Sequence, residues 1–221
     1  MDAVLDNIGL FANGLAGTVT LFAWSAVGSV VLGTVLAVMR VAPSPAVRAF
    51  GTAYVLTVRN TPLTVVFALI VFGGQILGLS VGGSVDLQYR VLAVLALSLY
   101  TASFVCEALR GGIATIPVGQ AEAARSLGLT FPQTLRHVVL PQAGRTVVPP
   151  LGSVLIAMAK NTSIASAFNN TELISAMRTG IENRGDAVIA VLVATAVAYL
   201  LVTLTLSLVF ALIEKKVAIV R

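Results

Sequence analysis

The stretch Glu122-Ala123-Ala124-Arg125-Ser126-Leu127-Gly128, followed after nine intervening residues by Val138-Val139-Leu140-Pro141, is a polar, helix-prone insert between two long apolar runs. The surroundings of that insert decide the fold class. Of the 221 residues, 57% are apolar and only 10% carry charge, and the mean hydropathy is +0.98. A soluble domain carries about 25% charged residues. So little polar surface cannot cover a water-soluble particle, and an integral membrane protein is the class that remains.

The net charge of +5 does not point to nucleic acid. The basic residues form no patch interleaved with aromatics; they flank apolar runs, as in membrane proteins. The single cysteine, Cys106, excludes an intrachain disulfide and reads as a small buried hydrophobe. His137 is the only histidine, no zinc spacing is present, and no metal site is expected. Asp2 and Asp6 stand where a cleavable signal would carry lysines, and the first apolar run is too long for one. The apolar runs hold no paired acids and no Ser/His arrangement, so no catalytic residue is expected.

A bilayer core needs about 20 apolar residues in a helix. The first run is uncharged from Asn7 to Met39 and ends at Arg40. The second is uncharged from Asn60 to Val85, with Gly73, Gly74, Gly78, Gly82 and Gly83 at its exit; the third runs from Arg90 to about Arg110. The fourth follows Arg145 and reaches only Lys160, and the fifth runs from Ala187 to Ile213. The expectation is an all-α integral membrane protein of five transmembrane helices, forming one domain over residues 1–221. The fourth span is suspect. Fourteen residues separate Arg145 from Lys160, with Pro149-Pro150 near its start. A helix of that length rises about 21 Å, short of the roughly 30 Å core. Short or interrupted spans with polar groups often line a substrate path.

The positive-inside rule sets the orientation. With the N-terminus outside, the inner segments hold Arg40, Arg48, Arg59, Arg110, Arg125, Arg136, Arg145, Lys215, Lys216 and Arg221, against Arg90, Lys160, Arg178 and Arg184 outside. The acids lean outward: Asp2, Asp6, Asp86, Glu172, Glu182 and Asp186. The C-terminus and the loop of about residues 111–145, between spans 3 and 4, then lie in the cytoplasm.

That loop reads as two short helices. Pro117 suits a first helical turn, Ala121 to Leu127 are helix formers, and Gly128 suits the left-handed position past the helix end. Thr130 and Gln133 form a capping box for a second helix, which Pro141 is expected to stop. Ala121, Ala123 and Ala124 would let a partner approach closely. Glu122 and Arg125 sit on neighbouring positions of the helix surface.

The loop resembles the element by which membrane subunits of bacterial ABC importers grip their ATPase: Glu-Ala-Ala, three residues, Gly, nine residues, Ile, any residue, Leu-Pro. Val138 replaces the Ile. The resemblance extends over nearly the whole chain, to permeases of the polar amino-acid importers. Tyr54 to Leu63 is similar to their Arg-Asn/Gly-Thr-Pro signature, Phe104 to Ile113 to their third-span exit, and Lys160-Asn161-Thr162-Ser163 to their Lys-Asn/Asp-Thr-Ser element. Met39-Arg40-Val41, the Val58 to Thr64 segment and Ile181-Glu182-Asn183 look most like actinobacterial glutamate importers.

The resemblance implies a bacterial plasma-membrane, multi-pass permease for polar amino acids, foremost glutamate. It implies two ATPase subunits holding ATP and Mg, a second membrane subunit, identical or homologous, and an external substrate-binding protein. No cofactor is implied on this chain, which lacks the P-loop pattern of an ATPase. Gln120, Ala121, Glu122, Ala123, Ala124, Arg125 and Gly128 would form the coupling helix.

Arg59, Asn60, Thr61, Lys160, Asn161, Thr162 and Ser163 are candidates for the substrate path. Arg59 equally reads as a positive-inside anchor, Asn60 and Thr61 as caps of the helix that Pro62 begins, and Lys160 as a snorkelling lysine beside a helix-ending turn. Glu107 and Arg110, three apart, read as a structural pair. Trp24 reads as lipid-facing or packing, and the Gly28 and Gly33 region as a close helix contact. Permeases for another small solute, such as methionine, another amino acid or an opine, share this pattern. A passive channel would need no coupling loop.

Overall fold

Thirty-two residues without a charge, Ile8–Met39, form α1, and the thirty residues Val85–Ala114 form α4 against it. A β-carbon at Gly28 would collide with Ser98 Oγ, and one at Gly33 with Val105, so the two backbones approach as the glycines foretold. The Ser84 hydroxyl accepts from Leu87 N–H at 3.2 Å and opens α4 five residues ahead of the expected start at Arg90. The computed structural model describes residues 7–79 and 83–217. Asp2, Asp6, Gly82 and Arg221, used in the charge and loop readings, lie outside them.

The second span differs from expectation. An amphipathic helix, α2 (Pro45–Arg59), precedes it and turns through 107° into α3 (Leu63–Ile76). Pro62, which carries no N–H, begins the new direction. At the far end Gly78, at φ +66°, donates to Gln75 O at 3.0 Å while Leu79 N–H reaches Gly74 O at 2.9 Å, which closes the helix. The 14 residues of α3 rise about 21 Å, so the apolar run from Asn60 to Val85 is longer than the helix it makes. Asn60 and Thr61 do not cap α3. Asn60 Nδ2 donates to Leu56 O and Thr61 Oγ1 to Thr57 O, both at 2.8 Å, so both close α2 instead.

The fourth span also differs. A 9-residue helix α5 (Val118–Ser126) and a single turn α6 (Phe131–Thr134) run into a wide π turn, Leu135–Val139, and then directly into α7 (Leu140–Asn161). Pro141 therefore does not end a helix. It sits just where the π turn passes into α7, so its missing N–H falls at the widened turn, and Gln142 Nε2 donates to Val138 O at 3.0 Å there. The 22 residues of α7 rise about 33 Å, enough for a roughly 30 Å core. Pro149 and Pro150 lie inside it. The span is interrupted by proline but not short, and Lys160 sits at its end rather than within it.

A 3-10 segment, Thr162–Phe168, follows. Then come α8 (Leu173–Asn183), a 3-10 turn Gly185–Ala187, and α9 (Val188–Val217). Among the described residues there is no strand. Four helical runs are long and apolar enough to cross a membrane, and the bent pair α2–α3 raises that to five. The core lies where α1, α3 and α4 meet, around Leu21, Phe67, Val71, Leu92 and Leu97. Trp24 faces outward at 64% exposure, and α9 presents Leu192, Leu200, Leu204 and Leu208 bare. Exposed apolar flanks of this kind face lipid or another apolar surface.

Candidate functional site

Helix α5 ends as its sequence requires. Gly128 takes φ +86°, its N–H donates to Arg125 O at 2.9 Å, and Leu129 N–H donates to Ala124 O at 3.2 Å. This is the paired closure that a left-handed glycine permits. Thr130 N–H then donates to Gln133 Oε1 at 2.9 Å, so the expected capping box opens the next turn. The first device closes the C-terminal end of α5 and the second opens the turn after it.

The α5 side chains divide sharply. Ala124 is buried against the turn that follows, while Gln120, Glu122, Ala123, Arg125 and Gly128 are exposed and Ala121 is half-buried. Neither the Glu122 carboxylate nor the Arg125 guanidinium has an ion-pair or hydrogen-bond partner among the described residues. The sequence reading passed over three apolar neighbours: Val118, Leu127 and Phe131 are 72%, 82% and 66% exposed. Large apolar side chains left bare beside unpaired charges, in a loop between spans, make a surface suited to a protein partner. Their presence in an otherwise polar insert was the available signal.

The path candidates separate into two groups. Arg59, at the α2–α3 bend, lies over the Phe104 ring at 5.4 Å from its centroid. Phe104 lines a cavity of about 370 Å³ between α4 and α7, together with Tyr100, Thr101, Ser153, Met158 and Asn161. Asn161 lines that cavity, whereas Arg59 reaches only the Phe104 ring at its wall. Asn60 and Thr61 are spent on the end of α2. Thr162 is buried and donates to Ala159 O at 2.7 Å, Ser163 is half-buried, and Lys160 is exposed; none of the three lines that cavity.

Glu107 is not simply the partner of Arg110. Arg40, from the end of α1, makes the closest contact with its carboxylate. Arg110 lies at 3.7 Å and Arg59 at 3.8 Å. One acid therefore gathers three arginines from α2, α4 and the end of α1. Cys106 is fully buried beside Arg40, which fits the packing role.

Another carboxylate, the fully buried Glu172, starts α8. Its Oε1 accepts from Ser175 N–H and its Oε2 from the Tyr199 hydroxyl, both at 2.7 Å. Leu173 N–H donates to Thr18 Oγ1 at 3.2 Å. Burial pushes the Glu172 carboxyl above the ordinary carboxylate range, against the pull of these hydrogen bonds. The carboxylate joins α8 to α9, and the neighbouring Leu173 N–H joins α8 to α1. Among the described residues, no three of His, Cys, Asp and Glu converge as a metal site would require.

Residues 29–219 match the family described as binding-protein-dependent transport system inner membrane component. The chain belongs to that family. Among curated relatives of this family, it is 44% identical over 209 residues to a glutamate transport system permease protein of Corynebacterium efficiens, covering 91% of each chain. It is 34% identical over 213 residues to a probable glutamine ABC transporter permease protein of Bacillus subtilis, covering 96% of this chain and 95% of the relative. The crystal structure of an amino acid ABC transporter with histidines superimposes with a TM-score of 0.87 at 29% identity, over 96% of both chains. An inward-facing methionine ABC transporter shares the fold, with a TM-score of 0.72 at 21% identity. The chain is thus a multi-pass membrane protein with the ABC permease fold.

Proposed function

We propose that this chain is the permease subunit of an ATP-driven importer of polar amino acids, and that glutamate is its principal substrate. Residues 1–221 form one permease domain with the N-terminus outside and the C-terminus in the cytoplasm. ATPase subunits that bind ATP and Mg meet it on the cytoplasmic side. A second permease subunit and an external binding protein complete the complex.

The observation that carries the energy-coupled reading is α5: a helix closed at its C-terminal end by Gly128, bare on its outer face, with unpaired Glu122 and Arg125 and uncovered Val118, Leu127 and Phe131. A passive channel has no use for such a surface. Gln120 to Arg125 and Gly128 are the coupling contact, and ATPase closure moves α7 through the continuous turn that joins it to α6. The relatives named for glutamate support the substrate. The substrate path runs past Arg59 and Asn161 at the α4–α7 cavity, with Asn60, Thr61, Thr162 and Ser163 holding its walls and Lys160 adding a positive charge at the end of α7.

The test is competition uptake into vesicles that hold all subunits and the binding protein. Labelled glutamate should accumulate only with ATP, and excess unlabelled glutamate, but not arginine, should block it. Uptake of arginine or histidine with glutamate ignored would overturn the substrate and leave the importer standing.

A further inference from the structure

Asn161 ends α7 and lines the α4–α7 cavity. The chain passes from it straight into the 3-10 segment Thr162–Phe168. Seven residues is long for this helix type, whose hydrogen bonds are poorer than those of an α-helix; such stretches often mark a hinge or a chain under strain. The segment ends at Asn169, which takes φ +56° and ψ +36°. Among the described residues it is the one non-glycine with positive φ, and its Cβ meets the left-handed penalty that glycine avoids. Asn170, next along, is buried with its side-chain oxygen unsatisfied. Three departures from a relaxed chain thus follow one another within residues 162–170.

Packing holds the segment in place. Ala165 is fully buried in the core with Leu21, Phe67 and Leu97. The Phe168 ring stacks on Phe67, 5.2 Å between centroids and 25° between planes, and lies tilted 5.8 Å from Phe72. Both partner rings belong to α3, and aromatic pairs at these separations attract beyond the area they bury. Tyr100 packs against this same cluster and also lines the cavity. The clasp therefore adjoins the Asn161 end of the cavity, away from the α5 loop. Strained backbone persists only where its surroundings hold it, and it concentrates at switch regions. Here the holding groups are two rings on one helix, so a movement of α3 releases the segment.

We propose that Thr162–Phe168 is the gate at the outer end of the substrate path, and that Phe168, clasped by Phe67 and Phe72, is its latch in the shut position. Opening withdraws Phe168 from α3 and frees Asn169 from its left-handed conformation. The strain at Asn169 and Asn170 offsets part of the clasp, so the shut state gives way to a modest pull. The gate rests on the importer reading and on its topology, in which α7 runs from the cytoplasm to the outer face.

Right-side-out vesicles holding the permease–ATPase complex test this, with Cys106 replaced and Ala157→Cys as a reporter in the cavity. Without ATP the reporter should resist an impermeant maleimide. Phe168→Ala should raise its rate of labelling tenfold or more, while Phe168→Tyr, which keeps the ring, should leave it unchanged. In a second arm, Phe72→Cys and Phe168→Cys are joined by a short, reducible bifunctional thiol reagent. The cross-link should stop ATP-dependent uptake, and reduction should restore it. Rapid labelling of the reporter in the unaltered background would overturn the shut position. Undiminished uptake with the cross-link in place would overturn the gate. A lower Tm for Phe168→Ala without faster labelling would reduce the clasp to packing and also overturn it. Failure of the importer reading is separate: the unaltered complex would then show no ATP-dependent uptake of any amino acid, whereas the reporter is read without transport.

Discussion

Gly128 holds φ +86° with open space around its α-carbon, so a side chain there meets backbone strain and no collision. Gly128→Ala isolates that strain, about 1–2 kcal/mol, and should lower coupled uptake in part. Gly128→Asp adds a charge to the uncovered surface and should abolish uptake while immunoblots find the protein in the membrane at normal amounts. Undiminished uptake by Gly128→Asp would remove α5 from the coupling role. Glu107→Gln leaves Arg40, Arg59 and Arg110 facing one another without their common acid. It should cost about 1–3 kcal/mol, read as a lower Tm in detergent, and Glu107→Asp should recover part of it. An unchanged Tm would mean the cluster contributes nothing to stability. The Gly128 conformation and the Thr130–Gln133 box were legible in the sequence because local backbone chemistry dictates them. The Arg40 and Arg59 contacts were not, because they join residues 67 and 48 positions from Glu107, and spacing exposes only the neighbour three residues along.

α8 is an element whose anchoring depends on one acid. Glu172 binds the α8 N-terminus and Tyr199 of α9 from a buried position. Because its folded-state carboxyl titrates above the unfolded value, its stabilising contribution is complete below the unfolded value and is lost as pH rises through the folded one. Amide exchange of Ala176 to Gly180 should therefore be best protected at low pH and quicken beyond intrinsic exchange as Glu172 ionises. Glu172→Gln, which keeps the acceptor, should flatten that dependence; an equal slope in both proteins would detach α8 from this group. The helices themselves followed from hydropathy, but two boundaries did not. Arg145 was read as the start of the fourth span, yet a helical backbone satisfies its own hydrogen bonds on either side of a charge, so α7 runs through it from Leu140. Asn60 was read as the start of the second span because α2, although helical, is too polar to register as part of a crossing.

For the whole molecule, the proposed topology has a direct test. With Cys106 replaced, a cysteine at Ser126 should react with an impermeant maleimide only in inverted vesicles. One at Asn183 should react only in intact cells. Labelling of both from one side would eliminate an odd number of crossings. The bare flank of α9 and the uncovered apolar residues of α5 were visible in the sequence only as composition; which face each would turn outward depended on packing, of α9 against α7 and α8 and of α5 against α6 and the π turn. Pro149 and Pro150 add a mechanical property to that packing. No i→i−4 hydrogen bond can close onto the carbonyls of Arg145 and Thr146, so α7 lacks two successive rungs just beyond the segment that joins it to the loop. α7 is therefore most easily bent a few residues beyond its junction with the loop. A bend at that point would let the loop end of α7 reorient relative to the Asn161 end while each half stays helical.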